Sequence, residues 1–290
     1  MRDAPAPASS ERPAFGPIVV GTDLSVGSDE LLRTAAHVAA RSATPLHVVH
    51  AIDMVPGTGT YDEAVGRAER LLDEQIRAVV PAGVEVHRHV ESSPPDRVII
   101  DWAERTNSGL IVVGPHVRRA GPAGLLGSTA EWVLGEAKAP CLVVRAPVVA
   151  PASHVAAAVD PAHTLAPVLD AAIQWALLFS DAGGGGGAAT VSALYVTSDR
   201  HGDPPPALDE ALRLALARAD VGNRLTAQLA VRGTDVVQSI LLFAEVEAVD
   251  LLVLSTRNRG VVGRALLGSV SSEVTRRAPC NVLLIPPAAE

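Results

Sequence analysis

Leu110-Ile111-Val112-Val113-Gly114, a loop, then Leu125-Leu126-Gly127-Ser128 is a phrase this chain spells twice. It returns 141 positions later as Leu251-Leu252-Val253-Leu254-Ser255, a loop, then Leu266-Leu267-Gly268-Ser269. The same offset relates Val90 to Val231, Ile99 to Ile240 and Ala103-Glu104 to Ala244-Glu245. Past Ser128 it slips to 139, where Ala139-Pro140-Cys141 returns as Ala278-Pro279-Cys280. Spacing this steady over nearly forty residues marks two copies of one domain. At roughly 150 residues per domain, the length of 290 agrees. The expected division is a disordered tail over 1–15, a first domain over 16–146, a linker over 147–153 and a second domain over 154–290.

Working outward from the repeated phrase, short apolar runs alternate with helical patterns. Ile18 to Val20, His47 to Ile52, Leu110 to Val113 and Cys141 to Val144 read as strands, and Val84 to Val90 as a half-exposed one. Between them lie helical stretches at Ser28 to Arg41, about Asp62 to Val80, Asp96 to Arg105 and Ser128 to Ala137. The second half repeats the order, from Val155 to Val159 through to Val282 to Ile285. Continuous apolar strands separated by helices predict an α/β fold with a parallel sheet covered on both faces.

Composition narrows the function classes. The chain is 48% apolar but only 3% aromatic, so its cores are Val, Leu, Ile and Ala. A net charge of −8 argues against nucleic acid or an anionic membrane surface as partner. The cysteines, Cys141 and Cys280, each precede an apolar run and read as small buried hydrophobes rather than a disulfide or metal site. Residues 1–10 have no apolar core of a signal peptide, and no segment has the ~18 uninterrupted apolar residues a membrane helix needs. A cytoplasmic location is the expectation. The run Gly183 to Gly187 lacks a Gly-Lys-Ser/Thr ending and reads as a loose connection rather than a phosphate loop. His87 and His89 share a strand face with no partner ligands and read as a solvated edge rather than a metal site.

The repeated phrase also carries a candidate site. A loop that leaves a buried strand and ends at a helix amino terminus offers free N–H groups and a favourable dipole to an anion. Glycines there let backbone approach a ligand without a Cβ in the way. In an open α/β sheet the ligand sits where strand order reverses. The loop after the first strand brings Thr22-Asp23-Leu24-Ser25, whose Asp23 is suited either to a ribose or to ordering its own loop. Ser128 opens Ser128-Thr129-Ala130-Glu131, a capping-box pattern, so its hydroxyl is suited to capping the helix as well as to phosphate.

On these residues the chain resembles the universal stress protein family in its tandem two-domain form, over nearly its whole length. ATP-binding members of that family carry Gly-x-x-Gly, nine residues, then Gly-Ser or Gly-Thr, with an Asp just after the first strand and an adenine contact at the end of the second. In the first half those positions fall on Gly114, Val117, Gly127, Ser128, Asp23 and Ala51. In the second they fall on Ser255, Asn258, Gly268, Ser269, Asp160 and Val196. The resemblance implies two doubly wound, open, parallel five-stranded sheets of Rossmann-like or flavodoxin-like type, strand order 3-2-1-4-5. It further implies that the halves pack as an intramolecular pseudo-dimer through antiparallel last strands, whose bare apolar edges would otherwise invite aggregation. A homodimer of the whole chain stays open.

The departures fall differently in the two halves. Val117 replaces the second glycine, and Pro115 and Pro122 each remove an N–H from the first loop. The second loop has no proline, keeps Gly260 and Gly263, places Asn258 where positive φ is tolerated, and carries Arg257, Arg259 and Arg264. Its nucleoside wall is weaker, because Asp160-Pro161-Ala162 replaces the Asp-x-Ser of the first half. If only one half holds phosphates, the second is expected to. The functional expectation is an adenine-nucleotide ligand, ATP with or without Mg²⁺, bound by a stress-response or signalling protein with no turnover of its own. No catalytic residue and no metal ligand is assigned. The alternatives are an interaction module that has lost nucleotide binding, with protein partners, and, more weakly, a slow ATP hydrolase, for which His116 and Asp23 are the positions a substitution would test.

Overall fold

The computed structural model describes residues 15–52, 60–114, 126–146, 148, 153–160, 165–179, 188–197, 204–219, 221, 225–233, 235–256 and 268–287. The predicted glycine run and both long phosphate loops, with Val117, Asn258, His116, Pro115, Pro122, Pro161 and the loop arginines, lie outside the described residues. The first half runs β1 (Ile18–Gly21), α1 (Asp29–Ser42), β2 (Leu46–Ala51), α2 (Tyr61–Val79), β3 (Val86–Glu91), α3 (Pro95–Arg105), β4 (Leu110–Val113), α4 (Ser128–Glu136) and β5 (Cys141–Val143). The second runs β6 (His154–Val159), α5 (Leu165–Phe179), β7 (Ala189–Thr197), α6 (Pro206–Arg218), β8 (Leu225–Gly233), α7 (Val236–Val246), β9 (Leu251–Ser255), α8 (Ser269–Arg277) and β10 (Asn281–Ile285).

Each half has the strand order 3-2-1-4-5, with parallel pairing throughout. The five-stranded sheets are not separate layers. β5 and β10 pair antiparallel, Val143 opposite Val282 and Cys141 opposite Leu284, and this joins the halves into one ten-stranded sheet. Two bare apolar edges satisfy each other's ladder hydrogen bonds, which is the outcome their sequences called for.

The register corrects one reading of the repeat. Ile111 stands beside Cys141, and Leu252, its counterpart, stands beside Val282. The offset of 141 therefore persists through the last strands, since Cys141 and Val282 are 141 apart. The two Ala-Pro-Cys phrases occupy different places, Cys141 inside β5 and Cys280 just ahead of β10. Both thiols are nonetheless buried, and that burial pushes their pKa up to about 12, so they remain protonated hydrophobes.

Two apolar layers sandwich the sheet. α1, α2, α5 and α6 cover one face through residues such as Leu32, Leu72, Leu169 and Leu208. α3, α4, α7 and α8 cover the other through Val98, Val133, Ile240 and Val274. Each such side chain, fully buried, contributes about 1.5–3 kcal/mol. Two aromatic rings sit where the halves meet: Trp175 and Phe179 stack at 5.2 Å, and the Arg41 guanidinium lies 5.7 Å over Phe179 while its Nε donates to the carbonyl of Leu178 at 2.7 Å.

The histidines of β3 are not a uniformly solvated edge. His87 is exposed beside Glu85, but His89 lies under Trp102 of α3 with ring centroids 3.5 Å apart. Its Nε2 shares a 3.0 Å hydrogen bond with Nδ1 of His47 on β2. Sequence spacing placed His89 on the sheet face; the ring that covers it comes from the helix after the strand.

Candidate nucleotide site

Between β1 and β4 the order of strands reverses, and the helices that follow them leave on opposite faces of the sheet. At the carboxyl ends of those strands lies a cavity of about 440 Å³, in the range usual for small-molecule sites. Its floor is apolar: Val49 and Ala51 from β2, Val112 and Val113 from β4, Val98 and Ile99 from α3. Gly21 ends β1 in this floor. A Cβ on Gly21 would stand 2.7 Å from Cδ1 of Ile99, so a side chain there requires the end of Ile99 to move aside.

The β1–α1 loop forms one wall, and its geometry is fixed by Asp23. The Oδ1 atom of Asp23 accepts from the backbone N–H of Ser25 at 3.0 Å, from the Ser25 hydroxyl at 2.5 Å and from the Ser28 hydroxyl. This is the Asx-type arrangement, and it holds Leu24 at φ 60, in the left-handed region. α2 braces the loop from behind: Gln75 accepts from the Thr22 hydroxyl at 2.7 Å and donates to Asp29 at 2.8 Å. Asp23 still lines the cavity, so ordering the loop and facing a ligand coexist in one residue.

Opposite stands the amino terminus of α4. Gly127 is the N-cap residue at φ −71, ψ 156, and no side chain among the described residues caps the helix. The capping-box reading of Ser128 is therefore corrected: Ser128 is the first helical residue and exposed, one position too late for its hydroxyl to cap. The Gly127 backbone lies in an extended region open to any residue, so its lack of a side chain matters for space at the cavity wall. The first-turn N–H groups beyond it, from a turn that includes Thr129 and Ala130 on the cavity wall, have no carbonyl four residues back in the helix to bond.

Four of the predicted first-half residues, Asp23, Ala51, Gly114 and Gly127, thus line one cavity, and Ser128 adjoins it. Sequence reasoning passed over Gly21, Ile99, Thr129 and Arg145, which share that lining. Gly21 had a legible signal as a glycine ending a strand ahead of the Thr-Asp loop. Arg145 had none, because its position depends on how β5 meets β10.

In the second half the predicted residues take equivalent places. Asp160 directly follows β6, Val196 lies in β7, Ser255 ends β9, and Gly268 precedes α8, which begins at Ser269. Gly268 repeats the extended N-cap conformation at φ −55, ψ 147, again with no side-chain cap. Ser271 donates from its hydroxyl to the Ser255 carbonyl at 3.0 Å, tying the helix start to the strand end.

The model of the universal stress protein family matches residues 14–145 and again 154–286. The chain belongs to the universal stress protein family. It carries two copies of the family's domain in tandem. A universal stress protein of Mycolicibacterium smegmatis is similar to it along nearly the full length, 28% identical, the match covering 93% of this chain and 97% of that one. The crystal structure of a universal stress protein from Archaeoglobus fulgidus shares the fold, with a TM-score of 0.70 over 94% of this chain and 98% of that one, at 21% identity. A second Archaeoglobus fulgidus structure, a universal stress protein in complex with dAMP, is 30% identical over 45% of this chain and 98% of that chain, with a TM-score of 0.37. Among the described residues no helix is long and apolar enough to cross a membrane.

Proposed function

We propose that this universal stress protein binds an adenine nucleotide in its first-half cavity and responds to it as a conformational ligand, without turning it over. The observation that carries the reading is the cavity itself. It sits where strand order reverses, with an apolar floor for a base, Asp23 on one wall and the uncapped start of α4 on the other. The resemblance noted from the sequence supplies the ligand class, because the residues that match the ATP-binding pattern in this half meet around that cavity. The second-half loop retains its arginines and its N–H groups and remains a second candidate for phosphate.

The engagement of Asp23 supports ligand over substrate. Its Oδ1 already accepts from three groups of its own loop, so that oxygen is committed to shaping the loop. Phosphoryl transfer needs a positioned nucleophile as well as charge stabilisation.

Thermal unfolding of the full chain with adenosine, AMP and ATP, each with and without Mg²⁺, tests the reading. Ligand at 100 times Kd adds about 2.7 kcal/mol, which raises the melting temperature of domains this size by roughly 5–10 °C. No shift with any of them at millimolar concentration overturns it.

A second reading has its own observation. α7 exposes Val236, Leu242 and Val246, with Leu242 at 62% and Val246 at 68%. The residues of α3 at the same 141 offset are Pro95, Asp101 and Arg105, so this face is apolar in the second half alone. It favours a protein-docking role that needs no nucleotide, and Leu242→Asp would abolish such docking while leaving nucleotide binding intact.

A further inference from the structure

Arg145 follows β5 at the point where the two halves meet, and it lines the first-half cavity beside Val144, Gly114 and Gly127. Among the described residues of that lining it is the only Arg or Lys. The lining carboxylates sit on the opposite side, Asp23 tied to Ser25 and Ser28 and Glu30 paired with Arg33 at 3.4 Å. The guanidinium is held at its far end by the second half. One terminal nitrogen donates to the carbonyl of Thr275 in the last turn of α8, while the Arg145 backbone N–H donates to Oδ1 of Asn281 at 2.7 Å. A cation at that helix end completes otherwise open carbonyls. Its Nε is buried and has no hydrogen-bond partner among the described residues. A buried donor on a permanent cation is costly to leave unmatched, and an anionic oxygen is the acceptor that matches both its charge and its N–H.

We propose that Arg145 is the phosphate-reading cation of the first-half site, so that this site selects a phosphorylated nucleotide over its nucleoside. The inference rests on the nucleotide reading above and adds a residue and a selectivity to it. A small turn of the side chain about its bond to Thr275 brings the enclosed Nε–H out to a phosphate oxygen at the cavity wall. The phosphate lies between a guanidinium anchored in the second half and the open amino terminus of α4 in the first. The first-half site is then incomplete without α8. The device exists on one side only: by the offset of 141 that the strand register preserves, the counterpart of Arg145 is Pro286, which has neither charge nor N–H.

The test is calorimetric titration of the full chain with adenosine and with AMP, for the unaltered protein, Arg145→Gln and Arg145→Lys. The quantity read is the ratio of AMP affinity to adenosine affinity, which cancels general damage to the cavity. Arg145→Gln is expected to lower that ratio tenfold or more, and Arg145→Lys to lower it less. An unchanged ratio in Arg145→Gln overturns the proposal and leaves the nucleotide reading standing. Failure of the unaltered protein to bind adenosine, AMP or ATP overturns the nucleotide reading itself. Should Arg145→Gln not melt cooperatively, the Nε–H resonance of Arg145 in the unaltered protein decides. It is expected to shift with AMP and not with adenosine, and an equal response to both overturns the proposal.

Discussion

Asn281 and Arg145 close the seam between the two halves: Oδ1 of Asn281 accepts the backbone N–H of Arg145 at 2.7 Å and that of Ala146 at 3.1 Å. Asn281 is 6% exposed and begins β10, so one side chain of the second half terminates the last strand of the first. Asn281→Ala leaves two N–H groups without their acceptor at a half-buried position. The expected cost is about 1–3 kcal/mol, read by urea unfolding. A loss below about 0.5 kcal/mol would show that water replaces Asn281 at the seam.

Gly127 and Gly268 separate backbone demand from ligand space. Both have extended N-cap conformations that any residue adopts, so Gly127→Val keeps the fold at a cost of about 1 kcal/mol, the usual penalty for an aliphatic N-cap. Its side chain enters the cavity wall beside the open N–H groups of α4. Nucleotide affinity in the first half is expected to fall at least tenfold, while Gly268→Val leaves that half unchanged. Titration in which Gly268→Val alone removes binding would assign the phosphate to the second half, as its arginine-bearing loop suggests from sequence.

The fold was legible because its determinants are local or periodic. Buried parallel strands such as Leu110 to Val113 announce themselves as unbroken apolar runs, and the repeat locates each element twice. The antiparallel seam was expected from the family resemblance, and the bare apolar edges of β5 and β10 agree with it. The site was legible only where backbone chemistry is written in residue type, as at Asp23, Gly114 and Gly127. Arg145, Thr129 and the fit of Gly21 under Ile99 depend on contacts between elements distant in sequence, and no local pattern carries them. The phrase Ala-Pro-Cys misled in the opposite sense: identical words in adjacent registers are not equivalent positions. Ser128 failed as a cap for a similar reason, because the helix begins one residue earlier than its hydroxyl requires.

The histidines of β2 and β3 give stability a dependence on pH. Burial, with the neighbouring His47 and His87, holds the pKa of His89 down to about 4 against an ordinary 6.5, with Arg105 adding to the effect and Glu91 opposing it. Burial and His87 lower that of His47 as well, with Glu85 opposing. The unfolded chain therefore binds protons in a range where the folded one does not. Stability is complete above pH 6.5 and is lost as pH falls from 6.5 towards 4. Melting curves at pH 7.5, 6.0 and 5.0 are expected to show this decline, and His89→Phe, which keeps the stacking on Trp102, is expected to flatten it. An equal decline in His89→Phe would place the sensitivity elsewhere.

Severing the halves exposes what the seam hides. In residues 1–146 alone, Cys141, Leu142 and Val143 lose their pairing with β10, although Leu142 and Val143 are fully buried in the intact chain. An unpaired apolar edge is a template for another copy of itself, and the antiparallel geometry that β10 provides is available from a second β5. The fragment is expected to sediment as a dimer at micromolar concentration and to precipitate when dimerisation is blocked by Leu142→Lys. The intact chain, with both edges paired to each other, gains nothing from a partner at this strand. A fragment that stays monomeric and soluble would mean that the outer layer of α4 shields β5 well enough alone, and that β10 contributes alignment of the two sites more than protection of the edge.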